Sequence, residues 1–232
     1  MFGKSAPHGL AGKTIKEIFK NDEGIAELHA CLISPRGDNF RLRLLQAMEI
    51  PLDEAVIEQL RIQSGINESR RHLNRLLKFG LIQVGEIDGK KRWTRTSLAE
   101  NAINALREFE RRVGKEATQA VYSASLGPNS IRFFLRIYGD KGETRGADLQ
   151  VRYTPAEIGR MSLFLPRAIE GVSAIDKLNE ADLLVYRDDN YIYMQPIKAH
   201  SFYQYLQELY EIASADLRSR ENSPRYDYPN FV

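Results

Sequence analysis

Four residues at helical spacing could grip an anion. Arg70, Arg71, Asn74 and Arg75 lie within two turns of a potential helix and fall away from Leu73, Leu76 and Leu77. A guanidinium is a planar fork that fits two phosphate oxygens, or O6 and N7 of guanine. A carboxamide pairs in the same way with adenine. Asn67 and Ser69 stand just ahead, with polar side chains that could add single hydrogen bonds. Gly89-Lys90-Lys91-Arg92 sets three more cations beside an Asp-Gly turn. Across residues 61–95, nine basic residues (Arg61, Arg70, Arg71, Arg75, Lys78, Lys90, Lys91, Arg92, Arg95) meet three acidic ones (Glu68, Glu86, Asp88). The whole chain carries only +2, so the excess is local. Such a patch suits a polyanion. The same charges would also serve a solvated helix face, and lysines near a hairpin also protect a strand edge.

The elements that would position these residues can be read from periodicity and turn chemistry. Phe40, Leu42, Leu44, Leu45 and Met48 predict an amphipathic helix. Pro51-Leu52-Asp53-Glu54 reads as the start of the next, with proline near its first turn. Val56, Ile57, Leu60 and Ile62 carry it to Ser64-Gly65. Asn67 is the expected N-cap of the following helix, with Ile66 as the apolar residue before it. Phe79-Gly80 ends that helix. Leu81 to Val84 and Lys90 to Thr96 are predicted strands, joined at Asp88-Gly89. Ser97 is the expected cap of a long helix from Leu98 to about Val113.

Helix, turn, helix, hairpin, helix is the order of a winged helix. The run Arg-Arg-His-Leu-Asn-Arg-Leu-Leu-Lys-Phe-Gly-Leu-Ile (70–82) resembles the recognition helix and first wing strand of bacterial and archaeal winged helix-turn-helix regulators. The resemblance covers about residues 39–113. It implies that residues 67–75 enter a major groove, with Arg70, Arg71 and Asn74 near the bases and Arg75 toward a phosphate. Lys90, Lys91 and Arg92 would be a basic wing on the backbone, and Ser69 and Thr96 could donate to phosphates.

The second half repeats the order. Ile131, Phe134, Leu135 and Tyr138 predict a helix ending at Gly139, followed by a polar loop and a short strand through Val151 and Tyr153. Thr154-Pro155-Ala156-Glu157 is a helix start by cap, proline and acid. A further helix carries Ile169, Val172, Ile175 and Leu178. Leu183 to Tyr186 and Tyr191 to Met194 flank an Arg-Asp-Asp-Asn turn, and Ser201 to Leu217 is an amphipathic helix. Over about residues 129–195 this resembles the DNA-binding part of CRP-type regulators, with Asp182 where that family prefers a glycine. Arg160 and Arg167 would be its DNA contacts. The turn at Asp188 and Asp189 is acidic and would be repelled by phosphate, so this unit also suits dimerisation or a protein partner.

Other chemistry is not signalled. There is no P-loop or dinucleotide fingerprint. His8, His29, His72 and His200 are scattered, and Cys31 is the one cysteine, without zinc spacing or a disulfide partner. Asp53/Glu54 and Asp188/Asp189 fit a helix start and a turn better than a catalytic pair. No apolar run approaches the ~20 residues of a membrane span.

The expectation is therefore a mainly α protein with small β-hairpin wings (α+β), as two tandem winged-helix domains. An N-terminal arm and helices (1–38) precede domain 1 with a long connecting helix (39–117). Domain 2 (118–221) and a Pro- and aromatic-rich tail (222–232) follow. The expected function is sequence-specific binding of double-stranded DNA by a cytoplasmic homodimer that regulates transcription. No catalysis, cofactor or metal is expected. The alternatives are a plasmid replication-initiation or maintenance protein on origin repeats, and an adaptor of a chromosome-organising complex. The adaptor would meet its protein partner through the second winged helix or the tail.

Overall fold

Residues 24–33 contain one residue that is not buried, Glu27, so the helix they form has no solvent face. A helix apolar on all sides must be wrapped by others. In the computed structural model, which describes residues 22–33, 39–141, 152–154, 168–188 and 191–221, that helix is α1 (Asp22–Leu32). It packs against α2 (Phe40–Ala47), α7 (Pro128–Lys141) and α9 (Pro196–Glu221), elements from both halves of the chain. Residues 1–21, in the predicted N-terminal arm and helices, and the C-terminal tail lie outside the described residues.

The fold is mainly helical with small antiparallel hairpins. After α2 the chain forms α3 (Glu54–Gln63) and α4 (Arg70–Lys78). Pro51 lies two residues before the cap of α3. Asp53 caps that helix, accepting a 3.0 Å bond from the Val56 N–H, and Pro51 lies outside it. Leu52 is instead a strand residue, exchanging N–H···O bonds of 2.9 and 2.8 Å with Trp93. Asn67 is not the cap of α4. The N-cap is Ser69, with no side-chain bond, and Asn67 is exposed in the preceding turn. There the Arg61 guanidinium holds the Ile66 and Asn67 carbonyls, so the turn closes from the helix before it.

Strands β1 (Ile82–Ile87) and β2 (Lys90–Arg95) pair from Ile82↔Arg95 to Ile87↔Lys90. Asp88 (φ 53°) and Gly89 (φ 69°) both take positive φ, as a two-residue type I′ hairpin turn requires. Helix α5 (Ser97–Val113) is capped by Thr96 rather than Ser97. It stops at Gly114 (φ 86°), and a separate helix, α6 (Lys115–Ser123), follows.

In the second half come α7, β3 (Arg152–Tyr153), α8 (Ala168–Glu180), β4 (Leu184–Asp188), β5 (Tyr191–Met194) and α9. The sheet order is β3-β5-β4. The first half has the same order when Leu52 is counted: Leu52 beside β2, and β2 beside β1. Asp182 sits at φ 53° between α8 and β4, a conformation that glycine would hold more cheaply.

One apolar cluster runs through both halves. Its centre is aromatic: Phe202 meets Phe134 at 5.1 Å, His29 at 5.5 Å and Phe109 at 5.6 Å between ring centroids. His29 is fully buried and bonds the Tyr205 hydroxyl at 3.2 Å through Nδ1, while Nε2 has no partner. Burial therefore lowers its pKa to about 3.

A histidine neutral in the folded state and protonated in the unfolded one makes stability fall with acid. His29 should stabilise fully above its unfolded pKa near 6.5 and lose that contribution as pH falls toward 3. The slope should be about 1.4 kcal/mol per pH unit in that window. Urea denaturation from pH 7 to 4 checks this: His29→Phe should flatten the dependence, and an equal slope in both proteins would refute it.

Candidate nucleic-acid interface

Helix α4 offers one polar strip. Leu73 and Leu76 are buried, while Arg70, Arg71, Asn74 and Lys78 are exposed. At about 100° per residue these four fall within roughly a third of the circumference. Arg70, Arg71 and Lys78 make no ion pair among the described residues. The two arginines sit in the first turn, where the helix dipole is already positive and no acid answers them. That arrangement costs a little stability and concentrates positive potential at one end.

Arg75 is different. It is turned along the helix side to Glu27 of α1, with Nη2–Oε2 of 2.7 Å, and its guanidinium lies 5.9 Å from the Phe79 ring centroid. Its carbonyl accepts the Cys31 thiol at 3.8 Å. Arg75 thus ties α4 to α1 and does not join the exposed strip. Cys31 is fully buried, and burial raises its thiol pKa to about 11 against the opposing pull of Arg41 and Arg75.

The hairpin cations are also partly committed. Arg92 pairs with Asp53 at 2.8 Å. Lys91 pairs with Glu54 at 3.3 Å and lies 4.8 Å from the Trp93 ring centroid. Arg95 lies between Glu49 (3.4 Å) and Glu100 (3.6 Å). Asp53 therefore has two tasks. One oxygen caps α3, and the other holds the hairpin. Its carboxyl is held below the usual range, first by the Val56 N–H and then by Arg92. Lys90, at the hairpin tip, is exposed and without an ion pair among the described residues.

The hydroxyls divide in the same way. Thr96 Oγ1 donates to the Gly80 carbonyl at 2.7 Å and accepts from the Ala99 N–H at 3.4 Å, so its one donor is already used. Ser69 lends its backbone carbonyl to the N–H groups of His72 and Leu73, both at 3.0 Å. Asn67 is exposed ahead of α4. Arg160 and Arg167 lie outside the described residues, as does Asp189; Asp188 ends β4.

Two features had no local signal in the sequence. The Glu27–Arg75 pair spans 48 residues. The Asp53–Arg92 pair spans 39. Lys78 was visible only as one charge of a cluster, although its place four residues after Asn74 puts it on the same strip. Among the described residues no group of His, Cys, Asp and Glu could hold a metal ion, and no helix is long and apolar enough to cross a membrane.

Thr96→Ala removes a cap and a bond that fastens the end of α4 to α5. The expected loss is about 1–2 kcal/mol of unfolding free energy by urea titration. A change within error would mean that both bonds are replaced at no cost. No family model, curated protein or solved structure matches the chain.

Proposed function

We infer that the chain binds double-stranded DNA through a winged-helix unit formed by α2 to α5, and that it regulates transcription as a dimer. The observation that carries this reading is the exposed strip of Arg70, Arg71 and Asn74 on a short helix backed by a hairpin. These are residue types that read base edges, offered without intramolecular ion partners on an element small enough to enter a major groove. Lys90 at the hairpin tip adds a charge for the backbone. The repeated strand order in the second half supports a second winged-helix unit in tandem.

A rival reading has its own support. Arg61, Arg75, Lys91, Arg92 and Arg95 are all in intramolecular pairs, so less positive charge is free than the sequence offers. That favours a winged-helix adaptor which meets a protein instead. A replication-initiation role would use the same DNA-binding surface on repeated sites.

Selection from a genomic fragment pool at several salt concentrations separates these. A regulator should enrich a short two-fold symmetric site, an initiator ordered repeats, and an adaptor nothing. With an enriched site in hand, Arg70→Ala or Arg71→Ala should cost about 1–3 kcal/mol of specific binding. Lys90→Ala should weaken all sequences nearly equally. Specific binding unchanged in both arginine variants would remove α4 from the interface. Negligible affinity at low salt would end the DNA-binding reading.

A further inference from the structure

The geometry points to Lys78 as the phosphate anchor of α4, in the place that the winged-helix resemblance gives to Arg75. This rests on the DNA-binding reading and adds a contact to the same site. Helix α4 has nine residues, about 13 Å of axis. Arg70, Arg71 and Asn74 occupy its first half, and Lys78 closes its last turn on the same exposed strip. Arg71 and Lys78 are about 10 Å apart along the axis at 1.5 Å per residue. The major groove is about 12 Å wide. A helix this short, laid with its first turn on base edges, brings its last turn to the sugar–phosphate wall.

An ammonium on a flexible stem suits that wall. It neutralises a phosphate as a point charge and needs no planar match. Lys78 has no hydrogen bond or ion pair to give up among the described residues. Arg75 would have to leave Glu27, whose side chain is only 19% exposed, and break the tie between α4 and α1. A last-turn lysine also complements the helix dipole. That structural role affects stability and not the number of ions displaced from DNA.

The test uses the full chain and a labelled, random-sequence duplex, with affinity measured over a range of salt. Lys78→Gln should reduce the slope of log affinity against log salt by about 1 and weaken binding several-fold at fixed salt. The sequences enriched from a pool should not change, and Lys78→Arg should restore the slope. Arg75→Gln should leave the slope as it is. A Lys78→Gln protein with lower thermal stability but an intact slope would reduce the residue to a dipole partner and overturn the proposal. So would a slope that falls in Arg75→Gln instead. Failure of the unsubstituted chain to bind the duplex at low salt would overturn the DNA-binding reading itself, a result distinct from either.

Discussion

The aromatic layer between α1, α5, α7 and α9 is the constraint on which the rest depends. Phe109, Phe134, Phe202 and Tyr205 are fully buried and in ring contact. Burying each such side chain is worth roughly 1.5–3 kcal/mol before ordering costs. The layer also fixes α1, whose His29 sits edge-on to Phe202 and Tyr205. Through Glu27, α1 then fixes the side of α4 that carries Arg75. The exposed strip of α4 is what remains once that side is taken. Its orientation is set by the burial of Leu73 and Leu76 and by contacts of α4 with α2 and β1, with the Arg75–Glu27 pair as a further tie to α1.

Charge pairing sorts the basic cluster into structural and available members. The pairs themselves add little stability, since most are partly exposed and screened by solvent. Their effect is on direction. Arg92 bound to Asp53 fastens β2 to the first turn of α3, and Leu52 fastens the same strand through backbone bonds. The hairpin is therefore anchored at its middle by both kinds of contact. Lys90 at the tip is not tied down in this way. A cluster of nine cations in the sequence becomes a smaller set with defined places.

Local order was legible in the sequence because local rules govern it. The Asp88-Gly89 turn, the Gly80 ending of α4 and the Leu73/Leu76/Leu77 stripe follow from backbone conformation and helical period; the structure has both turns and buries Leu73 and Leu76, with Leu77 half-buried. The misplaced caps are also instructive. Asn67 is about as good a capping residue as Ser69, and Ser97 is somewhat better than Thr96. Tertiary bonds decided both cases: Arg61 closes the turn at Ile66 and Asn67, and Thr96 is held by the Gly80 carbonyl. The commitment of Arg75 was illegible for a different reason. Its partner, Glu27, lies on α1, in the N-terminal segment outside both predicted winged-helix units.

That helix also bears on how the halves relate. Both halves use one connection, in which a short strand after the first helix pairs with the second strand of the hairpin. The repeated topology carries different surfaces. Helices α7 and α9 of the second half supply Phe134, Tyr138, Phe202 and Tyr205 to the buried layer, whereas α4 of the first half supplies exposed cations. A cut between the halves would bare the face of α1 that carries His29, a fully buried polar group whose one hydrogen-bond partner is Tyr205 of α9. It would also free the helix that holds Arg75. The basic surface and the aromatic core are therefore two ends of one mechanical element. Among the described residues α9 is linked to α4 through α1 and through α5, which lies along α9 and is fastened to the end of α4 by Thr96.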